Sequence, residues 1–363
     1  MLRLLIIFTI LLACYPNKLF SCTILAISDN EKIVVGNNED AYPNWHTRVW
    51  ILTKDDTSKY GRIIFGFADG WAQGGMNEQG LFLDAVVGFK DIEWASVPTK
   101  PFYSGNLHEK ILETAATIEE AVEIYKKYNC AEFEYGKIFL ADRSGKSAIL
   151  SFQNKELQVS LIENGNQVIG YGNKIANRML KENSDITIKN FQSVLFSSAQ
   201  EGSTPTLYTN IYDLIKGNIY IYDFRKNKNY IMLNLNEELM KGNHYYDLDL
   251  ITQQINKEIL TDSKCVHVSQ ARKSNYEKYL GKYKFDSGEI KEITFKDDNL
   301  LSIDGNQKHY KLYPLSDTEF SLKFVNVRIK FNIEIKPKEM TVYSIERDGK
   351  TKIKQAKLIE EKK

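Results

Sequence analysis

The sequence has little of several things. Cysteine occurs 4 times in 363 residues, proline 7 times and histidine 5 times, and 48 basic side chains almost cancel 47 acidic ones for a formal net charge of +1. That balance excludes the strongly basic kind of nucleic-acid binder, because the Lys-rich stretches are interleaved with acids and read as solvated surface. The histidines, at 46, 108, 244, 267 and 309, include no pair at zinc-ligand spacing, and no phosphate-cradling glycine motif occurs. Neither a metal nor a cofactor is expected. Beyond the N-terminus no apolar run is long enough to cross a bilayer, so no membrane span is expected.

What is present begins at that N-terminus. Arg3 precedes an apolar run over 4–13, and polar residues then lead to Leu19-Phe20-Ser21. This is the pattern of a signal peptide over 1–21, too short for a spanning helix. It implies export and a mature chain starting at Cys22. Leu11-Leu12-Ala13-Cys14 offers an alternative, because it resembles a lipoprotein box that would anchor the chain at Cys14. Three cysteines remain after a cut at 21, and an odd number leaves at least one free thiol. Cys130 and Cys265 either pair or are two buried small apolar residues.

Cys22 opens a run of alternating and β-branched residues, Thr23 to Ile27, followed by a turn and by Val34-Val35-Gly36-Asn37-Asn38-Glu39-Asp40. The pattern predicts a β-hairpin with Cys at its start and a polar cluster at its end. A Cys at a mature N-terminus carries a thiol and a free α-amine on one residue, a nucleophile with its own base. Further strands are predicted over 47–52, 61–67 and 82–87, with a glycine-rich turn over 74–81. A helix over 106–116 is followed by a second, started by the capping box Thr117 and Glu120. Strands return over 137–142, 147–152 and 168–171, a helix over 178–198, and strands over 207–214, 218–224 and 230–234. Residues 241–274 read as a helical linker. From 275 to 363, some six short strands with Gly and Asn turns predict a small all-β domain.

Cys-Thr at 22–23, Gly-x-Asn-x-Asp at 36–40, Met-Asn-Glu-x-Gly-Leu at 76–81 and Thr-x-Tyr-Thr at 206–209 together resemble the choloylglycine hydrolase family, linear amide C–N hydrolases with an N-terminal nucleophile. The resemblance runs from Cys22 to about Leu239. It implies an α+β fold, an αββα sandwich over 22–240 ahead of the small β-domain, and hydrolysis of an N-acyl compound through an acyl-thioester. By motif, Cys22 would be the nucleophile, Asp40 would position its amine and thiol, and Asn173 would lie near the oxyanion. The partner implied is a small acylated amine; self-association is left open.

Two positions depart from the pattern. Asn37 stands where the family has Arg, and Val87 where it has an oxyanion Asn; Asp84 is the nearest polar residue on that strand. The missing cation could be Arg48 or Arg178, and Arg178 is preferred because the family's second Arg lies downstream of the Asn. An acid at 84 serves as an oxyanion donor only if protonated. The alternatives to hydrolysis are acyl transfer from the same thioester to an amine, and a non-catalytic binding protein on a decayed hydrolase fold.

Overall fold

The computed structural model describes residues 22–55, 58–89, 91–103, 105–225, 230–256, 261–262, 276–296, 299–303, 309–316, 318–322 and 326–361. The expected signal segment, Cys14 and Cys265 lie outside them. Cys130 is a buried free thiol whose Sγ donates to Glu132 Oε2 at 3.0 Å.

The opening hairpin forms as expected, from β1 (Thr23–Ser28) and β2 (Ile33–Asp40). Its turn is closed by Asp29, whose Oδ1 accepts from the N–H groups of Glu31 and Lys32 at 2.8 and 2.7 Å. Every residue of both strands is buried, so the apolar run that makes β1 a central strand continues in β2 as a buried polar one. Four strands follow: β3 (Thr47–Leu52), β4 (Arg62–Phe67), β5 (Ala72–Asn77) and β6 (Phe82–Val87). The stretch expected to be only a turn thus contains a strand. Its paired glycines sit where side chains do not fit, since a Cβ on Gly75 would lie 2.1 Å from Ile63 O.

Two helices come next, α1 (Leu107–Thr114) and α2 (Ile118–Lys127), the second capped by Thr117 as the capping box predicts. Then come β7 (Gly136–Ala141), β8 (Lys146–Gln153), β9 (Glu156–Glu163) and β10 (Gly165–Gly170). The helix expected over 178–198 is two helices, α3 (Asn173–Glu182) and α4 (Ile188–Ser197). The break follows from Asn183-Ser184-Asp185. Asn190 Nδ2 bonds back to the carbonyls of Asn183 and Asp185, and Thr187 caps α4. Last come β11 (Thr206–Asp213), β12 (Asn218–Asp223), β13 (Tyr230–Asn234), α5 (Leu235–Met240), β14 (His244–Asp247), α6 (Ile251–Asn256) and β15 (Thr261–Asp262). The stretch expected as a linker therefore begins with a strand. β14 pairs with β3, held there by buried His244 and Tyr246, which both bond Glu238 Oε2.

One sheet has the order β10-β1-β2-β11-β12-β13 and the other β15-β14-β3-β4-β5-β6-β7-β8-β9. Residues of both sheets share one apolar cluster, including Ile24, Val35, Ile51, Phe65, Phe139 and Tyr212. A second cluster joins the larger sheet to α1 and α2, and a third joins the smaller sheet to α3 and α4.

The C-terminal part is a closed antiparallel barrel of eight strands: β16 (Gly281–Phe285), β17 (Ile290–Lys296), β18 (Asn299–Ile303), β19 (His309–Pro314), β20 (Glu319–Leu322), β21 (Val327–Asn332), β22 (Glu339–Ile345) and β23 (Thr351–Glu361). Sequence reading foresaw the middle six. β23 is rich in Lys and Glu, and Ala356 is its only buried residue among those described, so its pairing with β16 and β22 gives little hydrophobic signal.

The motif at 76–81 is a clamp. Asn77 Nδ2 donates to the carbonyls of Leu112 and Ala115 at 3.0 and 2.7 Å, and its Oδ1 accepts from Gln79 N and Leu81 N. One buried amide thereby closes both the C-terminus of α1 and the β5–β6 turn. Asn77→Ala is expected to cost about 2–3 kcal/mol, the desolvation of the orphaned groups included. Urea denaturation of the variant checks this, with an unchanged m-value.

Candidate active site

β1 and β2 place Cys22 against the polar end of their own hairpin. The Cys22 thiol is buried, and the acidic side chains of Glu39, Asp40 and Asp84 act on it. Asp40 Oδ1 accepts from Thr206 Oγ1 at 2.6 Å on β11, while Asp40 Oδ2 is buried and makes no hydrogen bond among the described residues. The register of β11 against β2 shifts between Thr206 and Tyr208, so a bulge lies directly beside Asp40 and Glu39. Three residues on, Thr209 Oγ1 donates to Asn38 Oδ1 at 2.6 Å, and Asn38 Nδ2 donates to Leu195 O of α4. The Thr-x-Tyr-Thr motif thus positions Asp40 and ties β2 to its neighbours.

The second sheet closes the site from the other side. Asp84 of β6 is buried, and its Oδ2 accepts from Asn37 Nδ2 at 3.0 Å. It fits only because residue 74 is glycine: a Cβ there would come within 2.3 Å of Asp84 Cγ. Where the resemblance calls for Arg, the chain therefore has an amide that bonds a buried acid. Neither the Asn37–Asp84 bond nor the charge of Glu39 acting on the thiol was recognised from the sequence. The signal available was four consecutive polar residues in a strand whose first half is wholly apolar.

Burial dominates the electrostatics. It pushes the Asp40 carboxyl up to about 7, against the pull of Thr206. Burial and the neighbouring Asp40 charge push Glu39 up to about 8. Asp84 is held well above the carboxylate range by burial and by Glu39. The Cys22 thiol is raised by burial first and then by Glu39, Asp40 and Asp84. Burial thus displaces Asp84 toward its protonated form, the direction in which an acid at this position becomes a hydrogen-bond donor.

The other expected site residues are spread more widely. Asn173 is exposed at the first turn of α3, directly after a segment pressed onto Cys22. Tyr171 N donates to Cys22 O at 3.1 Å, and Gly172 N donates to Thr23 Oγ1 at 2.8 Å. Gly170, at φ +107°, has no room for a side chain, since a Cβ would lie 1.8 Å from Cys22 O. Arg178 is exposed further along α3. Arg48 is engaged elsewhere: it pairs with Asp247 at 2.7 Å and lies over the Tyr245 ring. Arg225 donates to Trp45 O at 3.1 Å and pairs with Asp223 and Asp249.

No protein-family model matches the sequence, and no curated protein matches it. Solved structures do resemble the chain. Conjugated bile acid hydrolase from Clostridium perfringens, in a variant form, is 18% identical over 62% of this chain and 96% of its own, with a TM-score of 0.48. Penicillin V acylase from Agrobacterium tumefaciens is 16% identical over 62% and 91%, with a TM-score of 0.45. The N-acylethanolamine-hydrolyzing acid amidase ortholog of Caenorhabditis elegans is 16% identical over 53% and 92%, with a TM-score of 0.39.

Proposed function

We propose that the chain is an exported cysteine-nucleophile amidase that cleaves the linear amide of a small N-acyl compound. The three apolar clusters support reading residues 22–240 as an αββα sandwich. The observation that carries the chemistry is the state of Asp40 beside Cys22: one carboxylate oxygen is fixed by Thr206 and the other is buried without a partner. An unmatched buried acceptor is costly. The α-ammonium that a cut after Ser21 would free on Cys22 is a donor of the right charge for it.

In this reading the Cys22 α-amine takes the thiol proton, and Asp40 holds the resulting ammonium. The thiolate attacks the amide carbon, a C–S bond forms, and the carbonyl electron pair moves to oxygen. Asp84 as a neutral acid and Asn173 at the start of α3 are the side chains proposed to serve that oxyanion. Collapse breaks the C–N bond, and the leaving amine takes the proton from the ammonium. Water then attacks the thioester with the same amine as base, releasing the carboxylic acid and restoring the thiol.

Mass analysis of the exported protein should find Cys22 at its N-terminus. Exposure of that protein to a panel of small N-acyl amines should add an acyl group to the Cys22 peptide, absent in Cys22→Ala. A second amine that emerges acylated would show transfer instead of hydrolysis. A lipid on a retained Cys14, or no adduct across the panel, overturns the proposal.

A further inference from the structure

β9 is the outermost strand of the larger sheet, and among the described residues no strand pairs with its outer side. Its hairpin with β8 turns at Asn154 and Lys155, both at positive φ, with Gln153 opposite Glu156. A two-residue turn of that kind closes on a hydrogen-bonded pair, so Gln158, Ser160 and Ile162 exchange bonds with β8. Leu157, Val159, Leu161 and Glu163 therefore turn their N–H and C=O groups outward. Val159 and Leu161 are 42% and 44% exposed, and with Ile118 and Val122 of α2 they line a groove along this edge. A long edge with apolar side chains is what sheets ordinarily blunt or cover.

The two ends of the edge carry opposite charge. α2 runs antiparallel to β9: Glu119 at its start pairs with Lys146 at 2.8 Å, and Lys146 lies opposite Glu163 at the end of β9. Glu119, Glu120 and Glu163 stand at that end, with Lys146 as the base among them. Lys126, Lys127 and Lys155 stand at the other, with Glu93, bound to Asn154 N, as the acid among them. Glu156 alternates to the opposite face of the strand.

We infer that β9 is a dimerisation strand, pairing antiparallel with β9 of a second copy about a two-fold axis at Val159. Such an axis sets each residue opposite one equally far from it: Val159 meets itself, Leu157 meets Leu161, and Lys155 meets Glu163. Leu157, Val159 and Leu161 are the positions with outward backbone groups, so the pairing completes a hydrogen-bonded ladder. An axis at Ser160 would instead set Leu157 against Glu163. The two α2 helices then lie on one face and run antiparallel, so the acidic start of each approaches the basic end of the other. The edge is thus complementary to itself in hydrogen bonding, apolar surface and charge, which singles out a second copy as its occupant.

Sedimentation velocity of the full-length protein over a range of concentrations tests this, and the parent should be a dimer. Val159→Lys places a like charge against itself at the axis and should weaken association by at least about tenfold. Glu119→Lys and Lys126→Glu should each weaken it severalfold, and the two together should restore it. Mild oxidation should join the Val159→Cys chains to each other through position 159, read by peptide mass, because directly opposed hydrogen-bonded residues have Cα atoms ~5.5 Å apart. A parent that stays monomeric at the highest concentration overturns the inference, as does a dimer that Val159→Lys leaves intact. A dimer in which Val159→Cys does not link to itself overturns it equally, and so does open-ended assembly, since two-fold pairing uses up the edge.

Discussion

Arg62→Met is expected to remove about 3–5 kcal/mol of stability, the largest single loss we expect outside the site. Arg62 lies on β4, beneath α1. Its Nη2 bonds Glu109 Oε1 at 2.8 Å and Glu113 Oε1 at 3.0 Å, and all three side chains are at most 3% exposed. Removing the cation leaves two carboxylates in an apolar layer. Lys110 stands 3.9 Å from Glu113 and is partly exposed, so it compensates little. The triple replacement Arg62→Met, Glu109→Gln, Glu113→Gln should recover much of the loss, because no charge then remains buried. Urea denaturation of the single and triple variants separates the two effects. A single-variant loss under about 1 kcal/mol, the range of exposed pairs, would show the cluster to be well hydrated.

The second large effect is on pH dependence. With a peptide bond ahead of Cys22, Glu39 titrates at about 8 instead of 4.5 and Asp40 at about 7 instead of 3.8. Both are raised, so the folded chain holds protons that the unfolded chain has released. The stability this represents is fully present below about pH 4 and is lost as the pH rises through 7 and 8. Between pH 6 and 8 the loss should be on the order of 3 kcal/mol for the two groups together. Glu39→Gln should flatten that slope and be more stable than the parent at pH 8. Once Cys22 carries a free ammonium, the carboxylates are drawn down and the slope should weaken again. Thermal melts from pH 5 to 8 on the blocked, processed and Glu39→Gln proteins test this. A blocked form no less stable at pH 8 than at pH 6 would contradict the buried-acid site.

The hairpin that carries Cys22 and Asp40 was legible in the sequence because its turn chemistry and apolar spacing are local. The capping box at Thr117 was legible for the same reason. Glu39 and Asn37 were not, because their meaning depends on what lies across the sheets, where Asp84 comes from a distant strand. Residue type alone presents Asn37 as a missing arginine. Its contact shows what an amide does there: it donates to the buried Asp84 carboxyl. β9 went unseen for a different reason. It lies at the outer edge of the larger sheet, mostly exposed, so neither face of the strand had to be apolar.

The backbone contact at Cys22 has a consequence for latency. The carbonyl side of that residue is fixed by Tyr171 N–H and by the close approach of Gly170. That anchor lies on the carbonyl side of Cys22 and does not depend on what its nitrogen carries. A chain bearing any removable leader should fold with its thiol and acids already in register, as a dormant form that one peptide-bond cut would switch on without refolding.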